Sequence, residues 1–231
     1  MNGYWKSKIA KFEKIEVPAY IAAGMSHLHM RGTINAYRRI SSKFKWLRIH
    51  REFEWPDAYS YEMKEDLRKF FDRYLKGIYN GWELTPKVRL DVMDAYDCDI
   101  QKQRPEADFP IPRTVYKKLY LDANKKSLSY EASYEHTKTG YDAQTGEICF
   151  DMTFEEDTEI TGLMKLRLWV EAEGHDDMDL FITVQKLDEN GVLIINRDIE
   201  RMEEITEGLP CKVITFGKEP EKSIYSAADI V

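Results

Sequence analysis

Histidines are the side chains of this 231-residue sequence best suited to move a proton or bind a metal near neutral pH. His50 follows a short apolar run typical of a strand. There it could act as a general base, or it could be a polar residue held by Glu52 or Glu54. His27 and His29 form a His-x-His pair, but a metal site needs further ligands and none lies nearby in sequence. We therefore interpret this pair as loop histidines bonded to backbone or solvent, with a metal site as the weaker alternative.

Nucleophilic chemistry would need an activated serine. The order strand, helix, strand, helix in the first third of the chain invites a test for an α/β-hydrolase, whose nucleophile elbow reads G-x-S-x-G at a strand-to-helix turn. The nearest string is Gly-Met-Ser-His-Leu at residues 24–28, which lacks the second glycine. The strained elbow needs small residues beside its serine, so Leu28 counts against Ser26 as a nucleophile.

Composition places the chain among ordinary globular proteins. Hydrophobic residues make up 43% and charged residues 32%, and no long apolar run could span a membrane. The first residues lack the apolar stretch of a secretory signal. The three cysteines (Cys98, Cys149 and Cys211) are widely spaced and form no CxxC pair, so neither a disulfide framework nor a zinc site is indicated. We expect a cytoplasmic protein.

Charge is distributed unevenly. Residues 1–82 hold 16 lysines and arginines against 9 aspartates and glutamates, whereas residues 83–231 hold 18 against 32. The basic side chains are scattered through amphipathic elements and form no stripe with stacking aromatics, so a nucleic-acid interface is not predicted.

The spacing of hydrophobic residues predicts the helices and strands that could position these side chains. An apolar run at residues 16–24 and another at 45–49 predict strands, and the spacing at residues 32–40 predicts a helix between them. Ser60 can cap a longer helix whose apolar stripe continues to Ile78, with Gly77 as its left-handed stop.

A period of two replaces the helical period after residue 81. Alternating apolar residues at 88–92, 148–154, 166–170 and 180–184 predict four strands of an antiparallel sandwich or jelly roll. The predicted fold class is α/β followed by all-β, with domains at residues 1–82 and 83–231. The strands are fewer than a closed sandwich usually has.

The junction between the two parts carries a family resemblance. The run Phe-Phe-Asp-Arg-Tyr-Leu-Lys-Gly at residues 70–77, Asn-Gly-Trp at 80–82 and Pro-Lys-Val-Arg-Leu at 86–90 resembles the passage from catalytic to C-terminal domain in X-Pro dipeptidyl-peptidases and cocaine esterase-like (CocE/NonD) serine hydrolases. Supporting segments are Val-Pro-Ala-Tyr-Ile-Ala-Ala-Gly at 17–24, Lys-Trp-Leu at 45–47, Gly-Leu-Met-Lys-Leu-Arg-Leu at 162–168 and Asp-Met-Asp-Leu-Phe at 177–181. The resemblance covers about residues 14–191.

The resemblance implies a partial α/β-hydrolase domain followed by a jelly-roll, galactose-binding-like β-sandwich. It implies hydrolysis of acyl esters or of the bond after an X-Pro unit, by serine, aspartate and histidine without a cofactor. His50 is then the candidate triad histidine, and His27 occupies the position expected for the acid. The nucleophile of the family would lie before Met1, so we expect the chain alone to be inactive.

A non-catalytic β-sandwich that binds or assembles with other proteins is the alternative function. Its expected partners are a second copy of the chain or the missing N-terminal catalytic half, because unpaired strand edges and bare apolar faces favour association. Neither nucleic acid nor a membrane is an expected partner.

Overall fold

A computed structural model describes residues 2–25, 28–94, 99–133 and 135–187, and the backbone of three further strands, Val192–Asn196, Lys212–Gly217 and Tyr225–Ser226. Ser26 and His27 lie outside these residues, as do Cys98 and Cys211. No helix among the described residues is long and apolar enough to cross a bilayer.

The first compact unit comprises Met1–Thr114 and Thr161–Leu163. Its α-helices are α1 (Gly3–Ser7), α2 (Met30–Arg39), α3 (Glu54–Ala58) and α4 (Tyr61–Leu75), with 3-10 turns at Phe12–Lys14 and Trp82–Leu84. Its strands are β1 (Ala19–Gly24), β2 (Lys45–His50), β3 (Val88–Met93) and β4 (Asp99–Glu106). They form one sheet in the order β1-β2-β3-β4, in which β1, β2 and β3 run parallel and β4 runs antiparallel to β3.

The two faces of this sheet bury different side chains because successive residues of a strand point to opposite sides. On one face, Leu47 and Ile49 of β2 pack in a core with α2 residues such as Ile34. On the other face, Trp46 packs against Phe70 of α4 and against Trp82. Both faces of the parallel strands are therefore covered, as continuous hydrophobic runs require.

Local sequence explains the longest helix. The Ser60 hydroxyl accepts a hydrogen bond from the Met63 N–H, which confirms the predicted N-cap. At the other end Gly77 has φ of 71°, and the Ile78 N–H donates to the Asp72 carbonyl. The helix therefore begins and ends at residues that the sequence marks.

The second compact unit comprises Val115–Ile160 and Met164–Val231. Its described strands are β5 (Tyr120–Asp122) with β6 (Ser127–Ser129), which pair antiparallel, and β7 (Val192–Asn196), β8 (Lys212–Gly217) and β9 (Tyr225–Ser226), which pair in parallel. A single bridge joins Ser127 to Asp151.

Three of the four strands predicted after residue 81 are wrong, because the structure forms no strand there. The described backbone at residues 148–154, 166–170 and 180–184 forms no ladder apart from the bridge at Asp151. An alternating run becomes a strand only when another strand takes its backbone hydrogen bonds and another layer covers its apolar face. The alternating side chains at 166–170 and 180–184 are exposed, as Leu168 (41%) and Val184 (68%) illustrate, and those at 148–154 are only half-buried.

The alternating run at residues 88–92 does form a strand, β3, but it pairs in parallel with β2. The sheet of the first unit therefore contains strands from both sides of residues 82 and 83. A mixed sheet with helices is the observed architecture, and the division into domains at that point stays a prediction.

Candidate active site

The candidate site lies where β2 ends, at the carboxyl edge of the parallel strands, where open α/β sheets place their ligands. Arg48 and His50 are two residues apart on β2, so their side chains share a face. The chain then turns into α3, which brings Asp57 back over that face. Pro56 lies in the first turn of α3, where its missing N–H costs no helical hydrogen bond.

Asp57 joins the other two side chains in a buried network. Arg48 Nη1 donates to both Asp57 carboxylate oxygens, at 2.7 and 2.6 Å, and His50 Nε2 lies 3.3 Å from Asp57 Oδ2. Arg48, His50 and Asp57 are only 5%, 3% and 5% exposed. Water is therefore largely excluded from all three charged or titratable groups.

Burial and neighbouring charges act on the pKa of His50 in opposite directions. Burial lowers it most strongly and the charge of Arg48 lowers it further, while Asp57, Asp91 and the Glu52 backbone raise it. The net direction is downward, so the imidazole is held neutral near pH 7. Burial also acts to lower the pKa of Arg48, but the hydrogen bonds and charge of Asp57 outweigh it and raise that pKa, so Arg48 stays charged.

Gly24 lets β1 approach this histidine closely. It is the β1 partner of His50 in the sheet register. A Cβ at position 24 would lie 3.3 Å from His50 Cε1 and 3.0 Å from the Glu52 carbonyl oxygen. Only glycine fits there without displacing the imidazole or the backbone after β2.

A pocket of about 240 Å³ opens beside the network. Its lining includes three cationic side chains and four carboxylates, Arg48, Arg51, Lys102, Glu52, Asp57, Glu62 and Asp91. Asp91 is fixed by backbone N–H donors, from Arg51 at 3.1 Å and Gln103 at 2.8 Å. Charges of both signs suit a small polar molecule better than an apolar one.

The sequence candidates have different outcomes. His50 lies in the network just described, whereas His27, at the position expected for the acid, lies outside the described residues. His29 is exposed, and its Nδ1 lies 3.5 Å from Glu54 Oε2. Among the described residues, no three side chains of histidine, cysteine, aspartate or glutamate are grouped as metal ligands would be.

Sequence reasoning missed Asp57 and Arg48. It offered Glu52 or Glu54 as the carboxylate beside His50, but the structure gives that place to Asp57, while Glu52 lies 3.5 Å from Arg51. The alternation Arg-x-His on a strand was a usable signal, because it places both side chains on one face. Asp57, seven residues later in the chain, reaches His50 because of how α3 packs. No local sequence pattern predicts that packing.

Comparisons with known proteins agree with the resemblance seen at the junction. A sequence model of the family described as the X-Pro dipeptidyl-peptidase C-terminal non-catalytic domain matches residues 80–217, more than half of the chain. Two crystal structures of a CocE/NonD family hydrolase from Staphylococcus aureus are similar to it, with TM-scores of 0.54 and 32% sequence identity. The match covers 56% of this chain but only 24% and 23% of those chains.

A curated relative matches over a shorter stretch. It is a UDP-N-acetylmuramate–L-alanine ligase from Lachnospira eligens, 52% identical over 46 residues, which are 20% of this chain and 10% of the ligase. The chain thus spans about a quarter of the hydrolase and a tenth of the ligase. On the family match over residues 80–217, the chain belongs to the family of the X-Pro dipeptidyl-peptidase C-terminal non-catalytic domain.

Proposed function

We propose that this chain is the C-terminal portion of a CocE/NonD-type α/β-hydrolase that acts on acyl esters or X-Pro peptides, and that it does not turn over substrate alone. Residues 1–82 would supply the end of the α/β-hydrolase domain, and residues 83–231 its jelly-roll β-sandwich. The observation that carries the proposal is the buried His50–Asp57 contact at the carboxyl edge of parallel strands, in a chain of this family.

A histidine beside a carboxylate supplies two of the three residue types of a serine-hydrolase triad. In that triad the carboxylate contacts Nδ1 and Nε2 accepts the serine proton, whereas Asp57 lies by Nε2 of His50, so Nδ1 would have to be the base here. Asp57 would be the positioning residue, since the acid position of the family falls at His27 in this sequence. Because the pKa of His50 is lowered, its imidazole is neutral near pH 7, which is the protonation state that a general base needs. A serine in an elbow is still required, and the sequence contains no G-x-S-x-G string to supply it.

Ester and peptide assays test this proposal. The purified chain should hydrolyse p-nitrophenyl butyrate and alanyl-prolyl-p-nitroanilide at the rate of buffer alone, and a fluorophosphonate probe should label no serine. His50→Ala should then change nothing, and His29→Ala is the matched control because His29 is an exposed histidine. Turnover that is lost in His50→Ala and kept in His29→Ala would show a working nucleophile and contradict inactivity alone.

A binding or assembly module is the second candidate function. The matching family is described as non-catalytic, and the second unit exposes large apolar side chains, with Trp169 93% and Phe181 94% exposed. Contiguous exposed apolar surface marks interaction sites in soluble proteins. Its partner would be a second copy or the catalytic half of a hydrolase.

Light scattering on the full chain tests the module. Association that is lost in Trp169→Ser and Phe181→Ser variants would support assembly through the second unit. A monodisperse monomer that also fails to bind the hydrolase from Staphylococcus aureus would count against it.

A further inference from the structure

Asp91 connects the part of the chain that matches the family model to the backbone that carries His50. It lies half-buried on β3, within residues 80–217, which match the family described as non-catalytic. One of its carboxylate oxygens, Oδ2, accepts a hydrogen bond from the Arg51 N–H at 3.1 Å. Arg51 directly follows His50, the last residue of β2. The N–H that Asp91 binds therefore belongs to the same peptide group as the His50 carbonyl.

The hydrogen bond from Arg51 takes the place of a ladder hydrogen bond between β2 and β3. The Leu47 N–H donates to the Lys87 carbonyl at 2.9 Å, and the register of β2 with β3 ends at Ile49. Parallel strands exchange hydrogen bonds at alternate residues, so the next donor of β2 on that side is Arg51. The Asp91 side chain accepts this hydrogen bond and so extends the attachment of β2 to β3 by one step.

The peptide group between His50 and Arg51 is held from both sides. Its carbonyl oxygen accepts from the Met25 N–H at 2.8 Å, just after β1, and its N–H donates to Asp91 on β3. A peptide group is planar, so hydrogen bonds on opposite sides fix its rotation. The direction in which the His50 side chain leaves the backbone is then fixed as well. Its imidazole lies with Nε2 3.3 Å from Asp57 Oδ2.

The orientation of Asp91 is itself set by β4. Its other carboxylate oxygen, Oδ1, accepts from the Gln103 N–H at 2.8 Å. The pairing of β3 with β4 shifts register between Leu90 and Val92, which places a β-bulge opposite Asp91. Gln103 lies in that bulge with a φ of 48°, and bulges often redirect groups beside active sites. Because both oxygens accept backbone N–H groups, the Asp91 carboxylate has one defined orientation toward β2.

We propose that Asp91 is a positioning residue for His50, because its carboxylate fixes the peptide group after His50 and so directs the imidazole toward Asp57. The catalytic meaning of this role rests on the proposed function, in which His50 is the general base. The orientation of the imidazole does not, since it can be measured without turnover. A misplacement of about 1 Å at a catalytic group can lower a rate by about a hundredfold. The region described as non-catalytic thus contributes a residue to the candidate active site without contacting substrate.

Nuclear magnetic resonance of isotope-labelled histidine tests the proposal, because it shows which imidazole nitrogen carries the proton. In the full chain at about pH 8, above the ordinary pKa of histidine, His50 should carry its proton on Nε2, which faces Asp57. Asp91→Leu keeps the branched shape of the side chain but accepts no hydrogen bond. It should lower the ratio of the Nε2–H to the Nδ1–H tautomer about tenfold, the effect of losing one hydrogen bond to a charged group.

Asp142→Leu is the matched control. Asp142 also accepts backbone N–H groups, from Gln144 at 2.9 Å and Thr145 at 3.2 Å, but it holds a turn of the second unit. This variant should leave the His50 tautomer unchanged. Near-ultraviolet circular dichroism verifies that both variants fold. If Asp91 only closes the bulge, a folded Asp91→Leu chain will be less stable and keep the His50 tautomer, and that result overturns the proposal.

Amide hydrogen exchange of the unchanged chain gives a second measurement, which applies even if Asp91→Leu does not fold. The Arg51 amide should be protected as strongly as that of Leu47, which lies inside the ladder. Rapid exchange of the Arg51 amide overturns the proposal, and so does an unchanged chain whose His50 carries its proton on Nδ1. Turnover by the chain, which would contradict the proposed function, changes none of these outcomes.

Discussion

The sheet of the first unit and the alternating runs of the second unit have similar hydrophobic content and opposite outcomes. Val88 and Leu90 alternate with charged residues and are 0% and 1% exposed, because β2 pairs with β3 and the core that includes Ile34 of α2 packs against them. Leu166 and Leu168 alternate with charged residues too, yet are 47% and 41% exposed. Alternation of apolar and polar residues predicts which face of a strand is apolar. That face is buried only where a second layer of the structure covers it.

The largest expected effect comes from the buried ion pair in the first unit. Asp57→Ala leaves the charge of Arg48 buried without its partner, which typically costs about 3–5 kcal/mol of unfolding free energy. Equilibrium urea denaturation measures it. Glu65→Ala is the control, because it removes an exposed carboxylate that pairs with Arg68 and should change stability little.

A double variant tests whether the buried charge of Arg48 accounts for that loss of stability. Replacing Arg48 by Met together with Asp57 by Leu removes both charges and should be much less destabilising than Asp57→Ala, since an apolar pair avoids the desolvation cost. A double variant as unstable as the single one would mean that the network stabilises β2 and α3 through more than its charges.

Tryptophans in the two units should respond oppositely to truncation. Trp82 is 1% exposed and packs against Trp46, with ring centroids 5.5 Å apart, so Trp82→Ala should cost about 3–5 kcal/mol. Trp169 is 93% exposed, and Trp169→Ala should stay within about 0.5 kcal/mol. Equal losses in urea denaturation would break the comparison between the units.

Acidification should destabilise the first unit through His50. Because the pKa of His50 is lowered in the folded chain, the unfolded chain binds the proton more readily below its ordinary value of about 6.5. The stability present above that value is therefore lost as pH falls from there toward the lowered pKa. Urea midpoints measured across this range should fall with pH, less steeply in His50→Gln. His29→Gln, which alters an exposed histidine, should follow the original chain.

The smallest expected effect is at the alternating residues of the second unit. Val184→Ser replaces a side chain that is 68% exposed and should change the unfolding free energy by no more than about 0.5 kcal/mol. Leu47→Ser, at a site 1% exposed in β2, is the contrasting variant and should be strongly destabilising. A large loss in Val184→Ser would mean that this face is covered in solution.

Local patterns predicted the first unit better than the second. The helix from Ser60 was predictable because its cap, its apolar stripe and Gly77 are all short-range signals. β1 was predictable because a strand covered on both faces reads as an uninterrupted apolar run. β2 was predictable from Trp46, Leu47 and Ile49, although Arg48 interrupts that short run. The parallel pairing of β3 with β2 was not predictable, since a strand's period of two is the same whichever neighbour it has.

The candidate site, too, was only partly predictable from the sequence. His50 could be chosen from the sequence because it ends an apolar run, but its carboxylate partner could not, since Asp57 reaches it only through the turn into α3.

The sequence by itself determined the family, the residue that ends β2 and the uncharged character of β1, because each is written in neighbouring residues. Tertiary structure decided which carboxylate meets His50 and which strand pairs with β3. Those depend on contacts between residues far apart in the chain, and burial and pairing free energies arise only when such residues meet.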